Sequence, residues 1–171
     1  MSDRQIVVSL IREPVTVPLT GAYAGVTVTL RRLTTPDYAE AQQAAQAIIQ
    51  DESKLLPLLI EHGLLPEGKL KAWKRKKETD PISYARFLTG VAMWVGAVEC
   101  GVKGIDSWTG ILGEDRKPAP VHRDVIEVLM LDEHFSSQVT AELDKAARIL
   151  AIEGKPSGVS PTGSSGVGTT A

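Results

Sequence analysis

The spacing of apolar residues changes once along the chain, at the tetrapeptide TTPD of residues 34–37, and this change constrains the fold more than any other feature. Over residues 5–32, β-branched residues alternate with other types on both sides of a turn-prone segment, 21–25, as in a hairpin with one apolar face. At 34–37, a threonine cap, a proline at the first helical position and an acid in the first turn predict the start of a helix. The sequence therefore predicts an α+β fold, with a β-hairpin or small antiparallel sheet before a mainly helical body.

Apolar stripes at helical spacing predict the helices of that body. We expect helices from Pro36, over residues 53–62 with an interruption near Pro57, from Pro81 to Gly101, over residues 122–131, and from Asp132 onward. The stripe of the helix from Pro81 is so wide that we expect this helix at the centre of the core.

We expect residues 1–153 to form one globular domain, with the hairpin region in residues 1–33 and the helical region in residues 35–153. Residues 154–171 are mostly small and polar, which predicts a disordered tail.

Composition narrows the class of protein. The chain is 43% hydrophobic and 23% charged, as in globular proteins, and its net charge of −2 favours no general attraction to nucleic acid or anionic membranes. A single cysteine, Cys100, excludes an internal disulfide and fits a reducing compartment. The N-terminal apolar run is too short for a signal peptide, and no apolar run approaches the roughly 20 residues that span a bilayer. We therefore expect a soluble, cytoplasmic protein with no membrane segment.

Candidate catalytic residues are few. The 3 histidines lie far from any cysteine or carboxylate cluster with metal-ligand spacing. Cys100 lies near the end of the most apolar helix, where a buried thiol is expected, and no neighbouring histidine activates it. No nucleophile, base and oxyanion donor can be assembled from neighbouring elements, so we expect no enzymatic activity, no metal and no cofactor.

A basic segment at residues 69–77 carries six of the 19 basic residues around one tryptophan. Its candidate electrostatic contacts are Lys71, Trp73, Lys74, Arg75, Lys76 and Lys77. The favoured interpretation is a solvated helix face whose tryptophan packs inward. Two alternatives are nucleic-acid binding, with lysines on phosphates and the indole stacked on a base, and docking of an acidic protein.

A second tryptophan, Trp108, lies in the glycine- and proline-rich stretch 104–120, which we expect to be a loop. Nothing near it forms an acid–base pair or a phosphate cradle. We therefore predict that Trp108, with Ile105 and Ile111, anchors this loop to the helical body.

The order of these segments resembles the tail assembly chaperones of long-tailed bacteriophages and prophages. The resemblance rests on VTLRRLTTPDYAEAQQAA at residues 28–45 and on the last third of the chain: a tryptophan-centred stretch, a proline before an amphipathic helix, a helix with phenylalanine in its first turn, and a serine-rich end. It implies a non-enzymatic protein that binds the tape measure protein, keeps it soluble, helps to recruit tail tube subunits and is absent from the finished virion.

A long amphipathic partner would need an apolar groove, and the helices after Pro120 are candidates to form one. The candidate partner-binding residues are Val125, Leu129, Met130 and Phe135, although for any single residue of this region the favoured interpretation is that it belongs to the core. Three alternatives stay open: self-association, a structural tail component such as a tube or completion protein, and a nucleic-acid-binding module acting through residues 69–77.

Overall fold

The structure, a computed structural model, describes the backbone of residues 13–153 and the side chains of residues 13–145. The predicted tail of residues 154–171 and the first part of the predicted hairpin region lie outside the described residues. The elements are β1 (Val15–Pro18), β2 (Thr27–Leu30), α1 (Thr35–Gln50), α2 (Glu52–Glu61), α3 (Leu70–Thr79), α4 (Pro81–Gly104), β3 (Ile105–Thr109), α5 (Arg123–Leu131) and α6 (Glu133–Glu153). Short 3-10 turns occupy Gly21–Tyr23 and Glu67–Lys69.

The strands form an antiparallel sheet in the order β1-β2-β3, so the predicted α+β fold is confirmed. The third strand contradicts the expectation of a loop over residues 104–120. It follows α4 directly and pairs with β2, with Trp108 opposite Val28. The open edge of β2 satisfies the backbone groups of this stretch, and the Thr27 and Thr109 hydroxyls lie 2.6 Å apart across the pair.

The predicted helix starts are confirmed by their caps. The Thr34 side chain accepts from the backbone N–H of Asp37 at 3.2 Å, and the Asp37 carboxylate accepts from the Thr34 N–H at 2.7 Å. At α4, Asp80 accepts from the Ser83 N–H at 3.1 Å. Each cap supplies acceptors for N–H groups that have no partner inside the helix.

The interruption expected near Pro57 is wrong, because α2 runs unbroken through it. Pro57 cannot donate to the carbonyl of Ser53, but both residues are exposed, so water can replace the missing bond. The long fourth helix also extends beyond its predicted end at Gly101, to Gly104.

Helix α4 lies at the centre of the core and packs against α1, α3, α5 and α6. Two glycines allow the last two helices to approach closely. A Cβ atom on Gly101 would lie 2.7 Å from Cε of Met130 in α5, and one on Gly104 would lie 2.6 Å from Cδ2 of Leu143 in α6. These contacts hold the C-terminal half of α4 against its neighbours.

The length of α4 corrects the expectation that no apolar run of the chain approaches the length of a membrane span. Within the described residues, its 24 residues are apolar enough to meet the length and composition criterion for a membrane span. Of the most apolar window, 44% is buried inside the fold. The packing of α4 against four helices is that of a core helix.

The hairpin turn between β1 and β2 packs against the N-terminal part of α6. The ring of Tyr23 packs edge-on against Phe135 in the first turns of α6, with ring centroids 5.3 Å apart. One turn further on, the Gln138 side chain accepts from the Thr20 N–H at 2.8 Å. The sheet and α6 therefore share one core.

Candidate protein-binding groove

An open groove of about 730 Å³ runs along α4 between α1 and α6. Helix α1 forms one wall with Tyr38 and Gln42, and α6 forms the other. The residues of α4 that line the groove are small or apolar: Thr89, Ala92, Met93, Trp94, Gly96, Ala97 and Cys100. The groove therefore has an apolar floor that follows the axis of a helix.

The glycines of α4 show why the floor is open. Side chains from α5 and α6 reach Gly101 and Gly104 so closely that a Cβ atom would clash with them. At Gly96, which is also buried, a Cβ atom would meet only Nε2 of Gln42, at 4.0 Å. A Cβ atom therefore fits at Gly96 without a clash, beside the Gln42 side chain.

The groove continues toward the N-terminus of α4 as a line of residues three or four positions apart, which is exposed from Ile82 to Met93 and buried at Gly96. We call Ile82, Ala85, Thr89, Met93 and Gly96 the α4 stripe. Met93 is 72% exposed and Ile82 is 68% exposed, and a shallow depression around Ala85 joins the groove at Thr89. This spacing is the one by which one helix packs against another.

Polar groups stand along the walls. Helix α6 contributes the carboxylates of Glu133 and Asp144, together with the hydroxyl of Thr140, which donates to the Ser136 carbonyl at 2.7 Å. On the α1 wall, the Tyr38 hydroxyl is buried without a hydrogen-bond partner among the described residues. Burial, and secondarily the charge of Asp144, raises the pKa of Tyr38 to about 12. The groove lining contains two carboxylates and no Lys or Arg among the described residues.

Two of the predicted partner-binding residues are buried, although one of them, Met130, lines the groove. Met130 is 3% exposed and Phe135 is fully buried, because the first packs on Gly101 and the second on Tyr23. Val125 and Leu129 are half-buried. The exposed apolar residues of α5 are instead Val128 and Leu131.

The basic segment forms α3 and buries its tryptophan. The ring centroid of Trp73 lies 5.1 Å from that of Tyr84 and 6.3 Å from that of Phe87, both on α4. The indole is therefore unavailable for stacking on a base, which corrects its candidate role as an electrostatic contact. The predicted cations Lys71, Lys74, Arg75, Lys76 and Lys77 are all exposed. Of these, Lys74 pairs with Glu52 at 3.1 Å.

Trp108 lies on β3 and is half-buried. Its indole N–H donates to the carbonyl of Ala119 at 2.8 Å. This bond ties the segment after β3 back to the sheet, whereas the sequence predicts that Trp108 anchors a loop to the helical body.

Sequence reasoning missed an ionic cluster that joins α2, α4 and α5. Arg123 binds Glu99 at 2.8 Å and Glu127 at 3.3 Å, and Nε2 of His62 lies 3.1 Å from Glu127. Burial lowers the pKa of Arg123, but hydrogen bonds and charges from both glutamates outweigh it and leave the pKa raised. The signal in the sequence is Glu99 itself, because a carboxylate inside the widest apolar stripe needs a partner.

The remaining candidates for chemistry are the Cys100 thiol and clusters of metal-ligating side chains. Burial raises the pKa of the Cys100 thiol, which disfavours the reactive thiolate. Among the described residues, no three His, Cys, Asp or Glu side chains are grouped so as to hold a metal ion. Comparison of the chain with protein-family models, with curated proteins and with solved structures gives no match.

Proposed function

We propose that this protein is a non-enzymatic tail assembly chaperone of a long-tailed bacteriophage or prophage. In this role it binds the tape measure protein in the bacterial cytoplasm, keeps it soluble and helps to recruit tail tube subunits. The proposal combines the resemblance of the segment order with the surface of the folded domain. It needs no cofactor and no metal.

The groove along α4 is the observation that carries the proposal. Its floor is apolar, it is open along its length, and the α4 stripe extends it with Met93 72% exposed. Contiguous exposed apolar surface of this kind marks sites of protein contact. A groove between helices is also the surface by which folded proteins bind an amphipathic helix.

Chaperone action on a long helical protein follows from mass action. The apolar faces of such a protein associate with one another unless they are covered during assembly. A partner that covers one stretch at a time lowers the concentration of exposed apolar surface and then dissociates. A domain with such an open groove can do this by coating the partner with many copies.

Co-expression with the tape measure protein of the same phage or prophage genome tests this function. We expect this protein to co-purify with the tape measure protein and to increase its soluble fraction. Failure of both would contradict the proposal. Mass spectrometry of purified particles separates the chaperone from a structural tail component, because only a structural component remains in the particle.

A further inference from the structure

We propose that the groove between α1 and α6 takes a single helix of the partner, and that this helix carries Lys or Arg beside its apolar ridge. The inference deepens the proposed function, on which it rests for the identity of the partner. The chemistry of the occupant is argued from the groove alone.

We infer a helical occupant because the floor of the groove has few hydrogen-bonding groups. A chain lying on Ala92, Met93 and Gly96 finds few floor groups to accept or donate hydrogen bonds. Its backbone must therefore satisfy its own polar groups, as a helix does. From Ile82 to Gly96 the α4 stripe is about 21 Å long, or about four helical turns.

The missing side chain at Gly96 allows a second helix to pack closely against α4. In the same helix, Gly101 and Gly104 receive Met130 and Leu143 at distances that admit no Cβ atom. At Gly96, which is buried, a Cβ atom would contact only the flexible Gln42 side chain, at 4.0 Å, and this side chain can move aside to admit a docked residue. An apolar side chain of a docked helix can enter there beside Met93, whose long flexible side chain adapts to different partners.

The charge of the wall selects a basic partner. Glu133 and Asp144 lie on the same wall, and the described lining of the groove itself contains no Lys or Arg to neutralise them, whereas Arg86 lines the adjoining depression around Ala85. Lys or Arg residues along one side of the docked helix would face these carboxylates, whereas Glu or Asp residues there would be repelled.

A second copy of this chain fits the groove poorly. A twofold contact places the same surface of both copies together, so two concave grooves would face each other with carboxylates on both sides. The apolar floors would then remain apart.

The test uses the full chain and two synthetic helical peptides of about 21 residues, which as helices are about 31 Å long and so span the α4 stripe with about one turn to spare at each end. Both peptides carry leucine at heptad positions a and d. One has lysine and the other has glutamate at the flanking positions. We expect the lysine peptide to bind at least about tenfold more tightly than the glutamate peptide, a difference that corresponds to about 1.4 kcal/mol. Equal binding of the two would overturn the charge assignment.

Two glycines of α4 provide a matched pair of variants. Gly96→Leu fills the floor, whereas Gly90→Leu makes the same change at an exposed position that does not line the groove and has nothing within 4 Å. We expect Gly96→Leu to weaken binding of the lysine peptide at least about tenfold, as loss of a central contact does, and Gly90→Leu to leave it unchanged. Equal binding by both variants would overturn the groove as the site.

Reversal of the two wall charges gives a second test, whose result does not require the Gly96→Leu variant to fold. We expect Glu133→Lys with Asp144→Lys to exchange the peptide preference in favour of the glutamate peptide. The control, Glu61→Lys with Glu78→Lys, reverses two exposed acids outside the groove and should keep the preference for lysine. If both pairs of substitutions shift the preference equally, only the net charge matters and the inference fails.

Two further measurements would identify a different occupant of the groove. A wild-type dimer that Gly96→Leu dissociates would assign the groove to a second copy. Tighter peptide binding after deletion of residues 1–12 would assign it to a segment of this chain. Either result overturns the inference.

Failure of the proposed function can be told apart from failure of the groove. If the tape measure protein co-purifies equally with the Gly96→Leu variant, the function stands and the groove is wrong. If the tape measure protein does not co-purify but the lysine peptide binds at Gly96, the groove stands and the function is wrong.

Discussion

Nη2 of Arg123 lies 2.8 Å from one carboxylate oxygen of Glu99 and 3.0 Å from the other. Glu99 is only 6% exposed, so this guanidinium holds a carboxylate that has little access to water. Arg123 also binds Glu127, and thereby connects α5 to the central helix.

We predict that Arg123→Gln destabilises the fold by about 2 to 4 kcal/mol, because it leaves buried carboxylates without their cation. In a double-mutant cycle, Glu99→Gln with Arg123→Gln should be less destabilising than the sum of the single changes. Urea denaturation measures both quantities. Strict additivity would show that the pair is not coupled.

The capping box of α1 predicts both a stability change and a pH dependence. Thr34→Ala should cost about 1 kcal/mol. Hydrogen bonds from Thr34 lower the pKa of Asp37 below 3.8, so its ionised form stabilises the folded state at higher pH. This contribution is lost as the pH falls through the lowered pKa.

Urea melts from about pH 6 to about pH 2.5 test that sign. Below about pH 4, the wild type should lose more stability than Asp37→Asn does, since the variant has no carboxylate to protonate. If the stability of the two proteins changed with pH in parallel, the stabilising role of ionised Asp37 in the cap would be contradicted.

The two kinds of glycine in α4 predict opposite effects of alanine. Gly96→Ala should stabilise the protein by about 0.5 to 1 kcal/mol, because alanine favours the helix and the space is open. Gly101→Ala should destabilise it by about 1 kcal/mol, since the new methyl group meets Met130 and Ile126. Thermal denaturation compares the two, and stabilisation by both would mean that α5 does not pack closely on α4.

Trp73 and its basic neighbours should behave differently. Trp73→Ala removes a buried ring that packs on Tyr84 and Phe87 and should cost about 3 to 5 kcal/mol. Lys76→Gln with Lys77→Gln should change the stability by less than about 0.5 kcal/mol, as exposed substitutions do. A mobility-shift assay at low salt would reveal a nucleic-acid-binding role of α3, and we expect no shift.

Local signals made much of the fold predictable. Thr34, Pro36 and Asp37 define the start of α1 through contacts within one turn, and Asp80 and Pro81 do the same for α4. Strand β3 was missed because Ile105–Thr109 is only five residues long, contains Asp106 and Ser107 and lies beside glycines, and because its pairing partner, β2, is far away in the sequence.

The groove was not predictable, because it depends on distances between helices. Periodicity identifies Met130 and Phe135 as apolar, but their burial depends on Gly101 and Tyr23 in other elements. In the same way, nothing near Gly96 in the sequence shows that only Gln42 of α1 comes close to the position of a Cβ atom there.

Purification of the tape measure protein after co-expression tests the central claim most directly. The account predicts that wild-type protein and the Gly90→Leu variant co-purify with the tape measure protein and keep it soluble, and that the Gly96→Leu variant does neither. A tape measure protein that stays insoluble and unbound in the presence of the folded wild-type protein would contradict the account.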